Sequence, residues 1–284
     1  MPERRSMEQS DLTILTKPAM DPLATEDHPR SIYTASLCPI CKGTGRETYM
    51  DENGCWWSRP CSCGAYEAEW QKRKLAFANI PKTFEGIRLS NFKTDIYRKE
   101  ESKKVIDTNL KVISWWLDNY GTMKKSGRGL YFYSKAVGSG KTRMAVSIAN
   151  ELILEHGMNV KFATSVRIIE EIRASWDKEY GVSEHQLLND LAVADVLVID
   201  DFGLEAVKDW IVEKLYQIIN ARYIDNKITI YTSNSNPDAL EYGDRIINRI
   251  KEKSYILAFP NESVRNYIAE QNMADLKSVI EAAG

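Results

Sequence analysis

The sequence predicts an α/β protein in which helices cover both faces of a parallel sheet, preceded by a small cysteine-rich module. Two observations carry this prediction. From Arg128 onward, short apolar runs rich in β-branched residues alternate with longer segments of helical periodicity, the pattern of β–α units. All five cysteines fall between Cys38 and Cys63, which sets that stretch apart from the rest of the chain.

The elements follow in order. Residues 1–35 include Pro2, Pro18, Pro22 and Pro29 without sustained periodicity, so they are expected to form a mobile leader with a short helix over 11–16. Residues 36–79 hold the cysteine module and a basic helix over 67–78, its charge densest at Lys72-Arg73-Lys74. Between Glu67 and Lys104, ten Lys/Arg outnumber six Asp/Glu. That excess reads either as a solvated helix face or as a surface for phosphates. Residues 80–127 read as a linker and a lead-in helix, with 112–117 on its buried face. In the domain at 128–272, strands are expected over 130–133, 160–162, 195–199 and 228–232. Helices are expected over 142–156, stopped by Gly157, and over 165–176 and 209–224; residues 273–284 are left as a C-terminal tail.

Composition narrows the class. With 284 residues, 43% apolar and 27% charged, a collagen-like, wholly disordered or membrane-spanning chain is excluded. No apolar run reaches the roughly 18 residues of a membrane span, and the first residues lack the apolar core of a secretory signal. The net charge of −2 and a pI near 6.1 do not mark a bulk nucleic-acid binder, although such totals can hide a local basic surface. An odd, tightly clustered set of cysteines points to a reducing, cytoplasmic compartment and a local metal site.

Gly138-Ser139-Gly140-Lys141-Thr142 stands where a strand gives way to a helix, the context of a phosphate-binding P-loop. Small residues let backbone N–H groups surround phosphate oxygens at a positive helix N-terminus. Lys141 would reach the terminal phosphates and Thr142 would bind Mg²⁺. Lys135 replaces the usual leading glycine, an awkward residue if positive φ is required there. The strand 196–199 ends in Asp200 and Asp201, which completes a site for ATP and Mg²⁺. Asp200 would hold the metal, while Asp201 would orient or deprotonate the attacking water. Taken alone, this pair is an ordinary solvated turn. Asn234 could bond the γ-phosphate or the water, and in isolation is simple turn chemistry. Arg245 and Arg249 lie four apart on one helix face and read as surface arginines or as cations offered to a neighbouring subunit.

Cys38-Pro39-Ile40-Cys41 and Cys61-Ser62-Cys63 supply four thiolates in two close pairs, a structural zinc site. Cys55 is read as free, with ligand replacement as the alternative; five reduced thiols without metal are the other reading. Trp56 and Trp57, beside Arg59, are expected to form the miniature core of this ribbon, or else to stack on unpaired bases.

In this order and spacing the motifs resemble the DnaC/DnaI-type helicase loaders, AAA+ ATPases related to the IstB transposition ATPase. The carriers are the residues at 138–142, 197–205 and 218–223, with Thr232-Ser233-Asn234, Arg245-Ile246-Ile247-Asn248-Arg249 and Ser263-Val264-Arg265. The resemblance spans roughly residues 36–270 and includes the N-terminal C-x-x-C and C-x-C pairs of phage and Gram-positive loaders. It implies an AAA+ fold with a five-stranded parallel sheet behind a zinc-ribbon-like module. It implies slow ATP hydrolysis to ADP and phosphate that partners or DNA stimulate. Asn234 then matches sensor 1, Arg265 the cis-acting sensor 2 arginine, and Arg249 the trans arginine finger with Arg245 beside it. Asp201 stands where many AAA+ proteins use Glu, and Asn248 where Ser usually precedes the finger. The implied partners are a hexameric replicative helicase, single-stranded DNA and further copies of the chain, in the cytoplasm and away from membranes. The zinc module is the implied helicase-docking region. The alternatives are an IstB-like ATPase serving transposition and a zinc-dependent DNA-binding protein with weak ATPase.

Overall fold

The computed structural model describes residues 38–66, 68, 75, 78–176, 183–205 and 207–283. The expected leader with its short helix, the Lys72-Arg73-Lys74 cluster and most of the helix around it lie outside the described residues. The chain divides into two compact units, Met1–Tyr66 and Glu67–Gly284.

In the first unit, β1 (Arg46–Met50) pairs antiparallel with β2 (Trp56–Pro60), Met50 facing Trp56 at the tip. Asp51 builds the turn: its carboxylate accepts the N–H of Asn53 and Cys55 at 3.0 and 2.9 Å and the Trp57 indole N–H at 2.7 Å. Gly45 is required by contact, since a Cβ there would come within 2.8 Å of the Tyr66 backbone nitrogen. The expectation of a tryptophan core is overturned. Trp56 is 71% and Trp57 55% exposed, while Cys38, Cys41 and Cys61 are buried with Cys63 packed against them. A two-stranded ribbon has no second layer on which to bury two indoles.

In the second unit five parallel strands run in the order β4-β5-β6-β3-β7. They are β3 (Gly129–Tyr133), β4 (Val160–Thr164), β5 (Val196–Asp200), β6 (Ile228–Ser233) and β7 (Ser254–Ala258). The helices are α1 (Glu100–Asp118), α2 (Tyr120–Ser126), α3 (Lys141–Leu154), α4 (Ser165–Ala174), α5 (Glu184–Val193), α6 (Asp209–Ile224), α7 (Asp244–Lys253) and α8 (Val264–Ala283). Strand alternation divides the core. Leu130, Phe132, Val196, Val198, Ile228 and Ile230 pack with α1, α2 and α3 on one face. Tyr131, Leu197, Ile199 and Tyr231 pack with α4, α5, α6 and α7 on the other. The fifth strand, β7, pairs with β3 at the sheet edge, as the resemblance implied.

One boundary and one buried face differ most from the sequence expectation. Where a tail was expected from 273, α8 continues to Ala283. On α1, Ile113 and Trp116 are buried, but Trp115 is 48% exposed and meets Tyr255 edge-on at 5.8 Å. Successive helical residues are turned about 100° from each other, and Trp115 lies off the stripe that holds Ile113 and Trp116. Arg222 on α6 is buried and donates to the carbonyls of Leu191, Ala192, Ala194 and Ile228 and to the Thr229 hydroxyl, tying α5 and β6 to α6. Burial pushes its pKa down to about 10. Among the described residues, no helix is long and apolar enough to cross a membrane.

Candidate functional site

The predicted phosphate loop leaves the C-terminal end of β3 and opens α3, whose first residue is Lys141. Gly138 and Gly140 have φ of 79° and 95°, a region that disfavours side chains. Space also demands glycine: a Cβ at Gly140 would lie 2.5 Å from the Tyr97 hydroxyl. Among the described residues the non-glycines with positive φ are Lys42, Asn79, Asp201 and Asn226, so Lys135 carries no such strain. It is exposed at the loop's start.

Lys141 is buried, and its ammonium donates to the carbonyls of Ser134 and Ala136 at 3.4 and 3.2 Å, to Ser139 Oγ at 3.4 Å and to Asn234 Oδ1 at 3.1 Å. Burial lowers its pKa. It is a cation held on neutral acceptors, with Asp200 and Asp201 near enough to favour its charge. Asp200 ends β5 and is also buried; burial raises its pKa against the opposing hydrogen bonds from Thr232 and Thr142. Both hydroxyls donate to Oδ1, Thr232 at 2.5 Å and Thr142 at 2.8 Å. A threonine hydroxyl meeting a buried carboxylate is an all-oxygen donor pair that suits Mg²⁺. Thr232 also accepts the Asp201 N–H at 3.0 Å, and its carbonyl accepts from Phe202 at 2.7 Å. These bonds hold Asp201 in the left-handed conformation, φ 54°, just past the strand. Thus Lys141, Thr142, Asp200, Asp201 and Asn234 converge at the C-terminal ends of β3, β5 and β6, where open α/β sheets bind ligands.

Three participants had no assigned role in the sequence reading. Thr232 lies in a quoted motif, but its bridging is visible only in space. Tyr97, from the segment expected to be a linker, donates to the Ser139 carbonyl at 2.9 Å. Glu262 accepts the Arg98 N–H at 2.9 Å; burial pushes its carboxyl up, but donors including Ser102 and the Arg98 and Lys99 amides outweigh this and lower it. Arg265 reaches the same loop: a Cβ at Gly138 would come within 3.0 Å of its Cγ and of Ser263 Oγ.

Arg245 and Arg249 lie on α7, outside this convergence. Arg245 is exposed, without a side-chain hydrogen bond or ion pair among the described residues. Arg249 is partly buried against Tyr216 and Tyr223 of α6.

In the first unit, the sulfurs of Cys38, Cys41, Cys61 and Cys63 all lie within 4.8 Å of one another. The Cys38–Cys61 and Cys41–Cys63 pairs are 3.7 Å apart. Four thiolates at about 2.3 Å from a tetrahedral ion would lie about 3.8 Å apart, so the cluster fits zinc. The Cys41 backbone N–H lowers the Cys38 thiol to about 7 against the opposing effect of burial. Cys55 is exposed and stands outside the cluster.

Residues 134–271 match the family of IstB-like ATP binding proteins. The replicative helicase loader DnaC of Escherichia coli K12 is 32% identical over 123 residues, 43% of this chain and 49% of the relative. The chain thus spans about half the length of that relative. DnaC of Buchnera aphidicola subsp. Acyrthosiphon pisum is 24% identical over 200 residues, 69% of this chain and 76% of the relative. Among solved structures, the DnaC helicase loader aligns with a TM-score of 0.53 at 24% identity, covering 63% of this chain and all of the other. DnaI aligns at 0.51 and 22% identity, over 64% and 95%. At such identities the structural likeness establishes the fold alone. Motif order, site geometry and sequence similarity therefore agree: residues 134–271 match IstB-like ATP binding proteins, and the chain is homologous to the replicative helicase loader DnaC over the lengths given.

Proposed function

We propose that this protein is an ATP-driven loader that engages a hexameric replicative helicase and helps deliver it onto single-stranded DNA. The observation that carries the reading is the homology to DnaC loaders, which reaches 200 residues in the Buchnera protein, in a chain whose Thr142 and Asp200 meet at the phosphate loop. The named curated relatives are loaders, which favours this reading over transposition.

In this reading Lys141 neutralises the terminal phosphates, and Thr142 and Asp200 hold Mg²⁺, which supplies charge stabilisation when bound. Asp201 orients the attacking water, with Asn234 beside it and Arg265 acting on the nucleotide in cis. Arg249, with Arg245, acts on the nucleotide of an adjacent copy. A phosphoryl-transfer site completed in trans is slow in an isolated chain, because such an arginine contributes about 10³-fold or more. Cys38, Cys41, Cys61 and Cys63 hold zinc, and their module docks the helicase. The protein works in the cytoplasm.

The decisive experiment is co-purification with the resident replicative helicase, with and without ATP, followed by helicase transfer to single-stranded DNA. Lys141→Ala is expected to lose ATP binding. Asp201→Asn should keep binding and lose hydrolysis. Equal loss of nucleotide affinity in both would refute the division of roles, and no helicase capture by the wild-type protein would refute the loader.

A further inference from the structure

Arg249 has surroundings unusual for a partly buried cation. Its guanidinium carbon lies 5.0 Å from the Tyr216 ring centroid and 5.3 Å from that of Tyr223. Nη1 donates to the Arg245 carbonyl at 2.8 Å and Nη2 to the Tyr216 hydroxyl at 3.3 Å. Nε is buried with no protein acceptor. Arg249 lines a cavity of about 20 Å³ together with Arg222, Thr229 and Lys253, room for one water. Tyr223 is itself fixed, its hydroxyl 2.9 Å from both oxygens of Glu252. Glu252 is thereby engaged by the tyrosine, and among the described residues no carboxylate pairs with Arg249.

Charges withdrawn from water are ordinarily paired. A guanidinium held only by a carbonyl, a hydroxyl and two ring faces is oriented without being neutralised. Its charge stays available to an anion from outside, and the exposed Arg245 lies one helical turn away on the same face. We propose that Tyr216 and Tyr223 are positioning residues that hold the Arg249 guanidinium rigid and uncompensated, ready for a phosphate carried by a second copy of this chain. This rests on the trans role given to Arg249 in the proposed function. It adds the device that keeps the finger in place: less motion is lost when the phosphate arrives, and no carboxylate has to be abandoned.

ATP turnover, measured against protein concentration with helicase and single-stranded DNA present, tests this in wild type, Arg249→Ala, Tyr216→Phe and Tyr223→Leu. Equilibrium ATP binding and thermal melting are measured beside it. Arg249→Ala should lower kcat by about 100-fold or more. Tyr216→Phe keeps the ring and removes only the acceptor, so kcat should fall about three- to tenfold with KM and melting unchanged. Tyr223→Leu should cost about tenfold; if it also lowers the melting temperature, Tyr216→Phe alone decides. A purely structural pair would change melting and leave kcat intact. Wild-type kcat in the tyrosine variants, with Arg249→Ala inactive, overturns the positioning role and leaves the finger standing. Full activity of Arg249→Ala, with Lys141→Ala inactive, removes the finger and the positioning role together.

Discussion

The cysteine ribbon and the nucleotide domain bury opposite kinds of group. The ribbon buries thiols and leaves Trp56, Trp57, Tyr49 and Met50 exposed. The nucleotide domain buries apolar side chains on both faces of a sheet, and within that frame it also encloses Lys141, Asp200 and Arg222. Size explains the difference. A short segment cannot remove enough apolar surface from water to offset its lost chain entropy, and a cluster of thiols whose spacing fits a metal stands where a core would be. A larger domain has stability to spare for keeping charges out of water at a binding site.

The largest effect that would sharpen this comparison comes from the metal. Purified protein should contain about one zinc per chain. Its removal by a chelator, or Cys61→Ser with Cys63→Ser, should unfold the ribbon entirely and leave the melting of the ATP-binding domain unchanged. Cys55→Ser should keep the metal. Zinc retained by the double variant would break the assignment, and a common loss of both units would break the contrast.

Next in size is Arg222, the buried cation that serves structure. Arg222→Ala strips the donor from four carbonyls and the Thr229 hydroxyl. It should destabilise the domain by about 3–5 kcal/mol in urea unfolding. A loss below about 1 kcal/mol, the size of an ordinary surface change, would mean that α5 and β6 are held by apolar packing alone.

The smallest effect has the opposite sign. Because burial raises the Asp200 pKa above its unfolded value, the native chain binds more protons between the two values, and stability falls as pH rises through that window. Asp200→Asn keeps an acceptor for Thr142 and Thr232 while removing the charge that burial disfavours, so it should raise the melting temperature of the nucleotide-free protein. The same variant should lose Mg²⁺-dependent nucleotide binding. Calorimetry at neutral pH without nucleotide checks the first outcome; an unchanged or lowered melting temperature would show that the buried carboxylate is compensated within the chain.

Much of the site was legible because its parts are local. Gly138 to Thr142 is one turn between a strand and a helix, and Asp200 and Asp201 end an apolar run whose alternation is visible without coordinates. Arg249 was legible as one of two arginines on a helix face, but not as a cation clasped by Tyr216 and Tyr223, because both rings come from another helix. The tryptophan pair departs from the sequence expectation for a related reason. A hydrophobic residue is buried only if the topology supplies a second layer, and the paired strands β1 and β2 supply none.

By itself the sequence determined the β–α alternation, the phosphate loop, the paired carboxylates and the two thiol pairs, since each depends on backbone geometry or ligand spacing within a few residues. Only the tertiary structure decided that Tyr97 closes on the phosphate loop from 42 positions upstream. It alone placed Arg222 on carbonyls of α5 and β6, and Thr232 between Asp200 and Asp201. Many of these contacts end on backbone carbonyls and amides, which every residue carries; the amino-acid string therefore holds no mark of which ones a distant side chain will find.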